Sequence, residues 1–93
     1  MNEENIQLLN EINRLLEKLD DNIDKGEVSP YLEFTGDEKY GYVLGANTEG
    51  FVYLANLMLG LARNQKKNEH YHFDDANMLD KNTNSLTISY VKP

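Results

Sequence analysis

Three features of the chain predict an α+β domain. The first is an amphipathic stretch over residues 3 to 25, with apolar residues three and four apart. The second runs from Gly45 to Arg63, opening on capping residues and then turning apolar on almost every side. The third is a set of short alternating runs, at 31–35, 40–45, 69–74 and 85–91, separated by polar and glycine-rich connections. In order these give helix, two strands, helix, two strands (α-β-β-α-β-β). The expected product is a four-stranded, mostly antiparallel sheet covered by a leading helix and a central buried helix.

The leading helix is read from Leu9, Ile12, Leu16, Leu19 and Ile23, a seam of about two heptads. Leu8 and Leu15 lie beside it and widen the stripe, which suits packing on a globular core. Gly26 is placed to end the helix. Asp20, Asp21 and Asp24 stand near its C-terminus, where negative charge opposes the helix dipole. That mild cost suggests another use for these acids.

Pro30 introduces the first strand, with Leu32 and Phe34 facing inward. Gly36-Asp37-Glu38-Lys39 carries turn chemistry, and Tyr40 to Gly45 returns as the second strand of a hairpin. Gly41 and Gly45 in that strand mark a bulge or a close approach.

In the central helix, Asn47 or Thr48 caps the first turn and Glu49 suits its dipole. Phe51, Leu54, Ala55, Met58 and Ala62 form one expected core stripe, and Val52, Leu57, Leu59 and Leu61 fill most of the remaining circumference. The apolar run is short of the roughly 20 residues that cross a bilayer, so it belongs in a core. Arg63, Lys66 and Lys67 complement the helix end. Glu69 to Asp74 is the third strand. Asp75 to Asn84 is a polar connection with Asp80, Asn82 and Asn84, in which Met78 and Leu79 tuck back onto the core. Ser85 to Val91 is the last strand, with Leu86, Ile88 and Tyr90 on one face.

Ninety-three residues make one small domain, 1–93, with helix 1–26 leading an α+β core over 28–93. With no cysteine there is neither a disulfide framework nor thiol chemistry. Met1 is followed by polar and acidic residues, so neither a signal peptide nor a membrane span is expected, and the expected location is the cytoplasm. Sixteen acids against nine bases give a net charge of −7, which argues against nucleic acid as a partner and favours a basic protein. Eight of the acids fall between Glu17 and Glu38, with only Lys18 and Lys25 among them. A solvated face explains such a cluster; so does a docking surface for a cationic protein. Six tyrosines add amphipathic rings of the kind enriched at interfaces, and Tyr31 and Tyr40 lie nearest the acidic hairpin.

Two constellations invite chemistry. His70, His72 and Asp74 alternate onto one side of a strand and resemble a metal set, but the outer two lie about 13 Å apart along the backbone, too far to share one ion. The same histidines are the only candidate bases near neutral pH. Gly45 to Gly50 looks like a phosphate-binding glycine loop but lacks its lysine, and Glu49 would repel phosphate. No cofactor and no metal are expected.

The junction Gly45-Ala46-Asn47-Thr48-Glu49-Gly50-Phe51, then Leu54-Ala55, Leu57 and Leu61-Ala62, then His70-Tyr71-His72-Phe73-Asp74, Leu79 and Ser85-Leu86-Thr87-Ile88, resemble family thirty-two of the bacterial immunity proteins from polymorphic toxin systems. The resemblance runs from about Tyr31 to the C-terminus and leaves the leading helix as an addition. It implies a cytoplasmic antidote that binds a cognate toxin domain, is not an enzyme, and has no catalytic residues. Combined with the acid cluster, it makes Asp20, Asp21, Asp24, Glu27, Asp37 and Glu38 the expected contacts to a basic toxin, such as a nuclease, with Tyr31 and Tyr40 as apolar anchors. The alternatives are a small metal-binding or enzymatic module around His70 and His72, and an adaptor that dimerises through the leading helix. The chain itself is expected to be a monomer or a weak homodimer.

Overall fold

The computed structural model describes residues 1–65, 69–73 and 85–91, and the backbone of 81–82. Lys66, Lys67, Asp74, Asp75, Met78, Leu79, Asp80 and Asn84 lie outside the described residues.

Helix α1 spans Glu3–Asp24. Asn2 caps it, its side chain accepting from the Asn5 N–H at 2.8 Å, and the Gly26 N–H closes the other end on the Ile23 carbonyl at 2.9 Å. Strands β1 (Leu32–Asp37) and β2 (Gly41–Ala46) form the antiparallel hairpin, with Leu32 opposite Ala46 and Asp37 opposite Gly41. The turn lies one to two residues further along than the sequence suggests. Gly36 and Asp37 stay in the ladder, and Glu38, Lys39 and Tyr40 make a three-residue loop. Gly36 has φ +122°, and a side chain there would run into the Gly41 carbonyl, so the position demands glycine.

Helix α2 spans Thr48–Asn64. Its packed line is Gly50, Leu54 and Leu61, with half-buried Leu57 between them. This corrects the expected core stripe, because Phe51 is 53% and Met58 46% exposed. Gly50 sets the helix rotation. A Cβ at Gly50 would strike the Tyr31 carbonyl, so only glycine lets α2 approach the hairpin this closely. Once Gly50 faces inward, helical spacing brings Leu54, Leu57 and Leu61 inward and turns Phe51 and Met58 out.

Strands β3 (His70–Phe73) and β5 (Leu86–Ser89) pair antiparallel, while β4 (Lys81–Asn82) runs parallel to β1 over Glu33 and Phe34. The α+β class is as expected, but the single four-stranded sheet is not. The order is β2-β1-β4 in one sheet and β3-β5 in another. Among the described residues β4 takes the other edge of β1, and β3 pairs with β5. The core joins both sheets to α2 through Leu32, Leu54 and the fully buried Phe73, ringed by Phe34, Leu44, Tyr53, Leu57, Tyr71, Leu86 and Ile88. No helix among the described residues is long and apolar enough to cross a membrane.

Helix α1 packs on α2 through Leu9, Asn13, Leu16, Asp20 and Ile23, again spaced four and three apart. Two of these five are polar. Asn13 is 4% exposed, and its amide donates to the Glu17 carboxylate at 3.0 Å. Ile12 and Leu19 of the expected seam are turned outward.

Candidate functional site

The acids at the end of α1 divide into two kinds. Asp20 falls on the α2-facing line and is half-buried, whereas Asp21, Asp24 and Glu27 are exposed. Burial holds the Asp20 carboxyl above its ordinary pKa, the charges of Asp24 and Asp21 raise it further, and a hydrogen bond with the Asn56 side chain opposes them. Asp20 Oδ1 has no hydrogen-bond partner among the described residues. Tyr53 responds to the same ground: burial raises its phenol pKa first, then the charge of Asp20.

The second acidic group is the hairpin tip. Asp37 turns its carboxylate into the loop, where Oδ1 accepts from the Tyr40 N–H at 2.8 Å. Glu38 is exposed. Tyr40 is 81% exposed, with the Lys39 ammonium 5.1 Å from its ring centre. Tyr31 lies at the other end of β1 and donates from its hydroxyl to Glu33 Oε2 at 3.3 Å. That carboxylate lies over Gly45, the residue opposite Glu33 in the ladder, where a Cβ would come within 3.0 Å of Oε1. The six residues of β1 separate Leu32 from Asp37 by about 17 Å. The expected contacts therefore form two groups, one beside α2 and one at the hairpin tip.

Tyr42 and Val43, which sequence reading left without a role, also face solvent on the hairpin. Tyr42 stacks on Phe34 with ring centres 5.7 Å apart, extending the apolar surface toward the tip. Alternation in a strand with two glycines was too weak a signal to separate inner from outer residues there.

Histidines 70 and 72 are exposed and meet edge to face, their ring centres 4.6 Å apart. His72 Nδ1 lies 2.9 Å from the Thr87 hydroxyl, across the β3–β5 pair. No three acids and histidines gather closely enough to hold a metal ion among the described residues. A groove between the two helices is lined by Ile6, Leu9, Asn10, Arg63, Asn64 and Gln65, with the Arg63 Nε–H donating to Asn10 Oδ1 at 3.0 Å.

The side chain of Asn47 organises the junction of hairpin and α2. Its Oδ1 accepts from the N–H groups of Gly50 (2.7 Å) and Tyr31 (2.9 Å), and its Nδ2 donates to the Ser29 carbonyl at 3.0 Å. The family model for Immunity protein 32 matches residues 43–91, beginning within β2 and taking in this junction, α2 and strands β3 to β5. Helix α1 and strand β1 precede the match. No curated protein and no solved structure matches the chain. The matched span is more than half of the sequence and holds the cap, the close-packed glycine and the Phe73 core described above; the chain belongs to the immunity protein 32 family.

Proposed function

We propose that the chain is the antidote of a toxin–immunity pair: it binds a cognate toxin domain in the cytoplasm and blocks it by occupancy, without catalysis. Family membership carries this reading. The contact surface is assigned to the exposed acids Asp21, Asp24 and Glu27 beside α2 and to Glu38 and Tyr40 at the hairpin tip, with Tyr31 at the hairpin base. Asp20 and Asp37 contribute charge, while their carboxylates also serve the helix seam and the turn. The net charge of −7 suits a basic toxin, such as a nuclease whose site is cationic because it grips phosphate. The leading helix is an addition to an immunity-like core over 28–93.

The test is affinity for the toxin domain encoded beside this chain, measured at rising salt. Binding is expected to weaken with salt in the wild type, and less steeply in the Asp21→Lys/Asp24→Lys variant. Affinity unmoved by both salt and charge reversal overturns the electrostatic assignment. Failure to bind that toxin at all overturns the antidote reading.

A further inference from the structure

We propose that α1 pairs antiparallel with α1 of a second copy of this chain, about a twofold axis. The stripe that would meet the partner is Leu8, Ile12, Leu15 and Leu19. These residues are four, three and four apart, and each is between 45% and 52% exposed. That spacing puts them on one face of the helix, and Leu9, Leu16 and Ile23 on the neighbouring face already lie against α2.

Two independent patterns select the occupant and its direction. Along the stripe the residues are Asn5, Leu8, Ile12, Leu15, Leu19 and Asn22, an order that reads alike from either end in kind and spacing. A reversed second copy sets Ile12 against the partner's Leu15, Leu8 against the partner's Leu19, and Asn5 against the partner's Asn22. Apolar layers then meet apolar layers, and amides meet amides at both ends, where polar layers fix register.

The flanking column, every seventh residue, is Glu4, Glu11, Lys18 and Lys25. In that same register it faces its own reversed copy. Glu11 falls beside the partner's Lys18 and Glu4 beside the partner's Lys25, each pair occurring twice by symmetry. A parallel pairing would instead aim these charges at the column of Leu9, Leu16 and Ile23. Charge complementarity therefore favours a second copy, reversed.

One helix face is less than the about 800 Å² per partner of a standard interface, so the dimer is reversible. Asp21 and Asp24 lie well away from the stripe by helical spacing and stay open in the dimer.

Sedimentation of the isolated full chain across a concentration range tests this, with circular dichroism confirming that each variant is folded. A concentration-dependent monomer–dimer equilibrium is expected. Leu15→Lys should weaken it about a hundredfold by placing two charges in the central layers. Glu11→Lys alone and Lys18→Glu alone should each weaken it about tenfold, because like charges then meet twice. Mixing those two single variants should restore association, since each supplies the charge the other lacks. A monomer at every concentration overturns the proposal. So does a dimer indifferent to Leu15→Lys, which would mean another face is used, and so does a mixture that fails to recover.

Discussion

Asn47 and Tyr31 exchange two hydrogen bonds across the base of the hairpin. The Tyr31 N–H donates to Asn47 Oδ1 at 2.9 Å, and the Asn47 N–H donates to the Tyr31 carbonyl at 3.2 Å. The same Oδ1 caps α2 through the Gly50 N–H. One amide thus fixes where α2 starts and how it sits on β1. Asn47→Ala removes the cap and both side-chain bonds to the preceding segment, and should cost about 2–3 kcal/mol. Asn47→Asp keeps both acceptor bonds and loses the donor to the Ser29 carbonyl, so it should cost less. Urea unfolding of the two variants ranks them; equal losses would mean that the cap contributes little.

Gly50 is the closest point between helix and hairpin. A Cβ there would meet the Tyr31 carbonyl, with the Ala46 methyl at 3.0 Å and Asn47 Oδ1 at 3.1 Å. Alanine normally gains up to about 1 kcal/mol over glycine inside a helix. Here the obstacle is backbone and cannot swing aside, so Gly50→Ala should destabilise by about 1–3 kcal/mol. Among the described residues a Gly60→Ala control meets only the Tyr71 hydroxyl at 3.8 Å, and it should be neutral or stabilising. Thermal melts that give the two variants the same sign would refute the packing role of Gly50.

These two positions also show what the sequence could disclose. The cap was legible as Asn47 or Thr48, because such residues before a helix have one well-known use, and both helices begin and end within a residue or two of expectation. The rotation of α2 was not legible. A helix apolar nearly all round offers little hydrophobic asymmetry to orient it, and its key packing residue is a glycine, which has no side chain to register as core. Strand β4 was equally hidden, since a two-residue parallel pairing rests on backbone bonds that Lys81 and Asn82 do not advertise. The acids of the candidate site could be placed on helix and hairpin from sequence. That Asp20 faces α2, while Asp21 and Asp24 face water, depended on which side of α1 was packed, and an apolar stripe wider than its contact left that open.

The position of Asp20 has a consequence for pH. Burial and the neighbouring acids raise its pKa in the folded chain. Between the ordinary carboxylate range and that raised value, the folded state holds more proton than the unfolded state. This group's contribution to stability therefore falls as pH rises through the window, and the full penalty persists above it. Asp20→Asn keeps the shape and an amide partner for Asn56 while removing the charge. It should raise the melting temperature at about pH 7 and leave it unchanged at about pH 3, below the carboxylate range. An increase of the same size at both pH values would show that the gain is not electrostatic.

At the hairpin tip, neighbouring acids should separate folding from recognition. Asp37 Oδ1 accepts from the Tyr40 N–H, so its carboxylate builds the turn that presents the ring of Tyr40. Glu38 is exposed beside it. Asp37→Ala should cost about 1 kcal/mol of stability by loosening the turn, and, if the tip touches the toxin as proposed, weaken binding indirectly. Asp37→Asn retains an acceptor oxygen and should recover most of both. Glu38→Ala and Tyr40→Ala should leave the melting temperature unchanged, because neither side chain is buried. If the tip touches the toxin, Tyr40→Ala lowers affinity most, since a large ring loses more contact area than a rim charge, and Glu38→Ala chiefly slows association at low salt. Calorimetry for the stabilities and stopped-flow mixing for the rates measure the two roles separately. Wild-type affinity in both Glu38→Ala and Tyr40→Ala would move the contact surface off the tip and onto the acids beside α2.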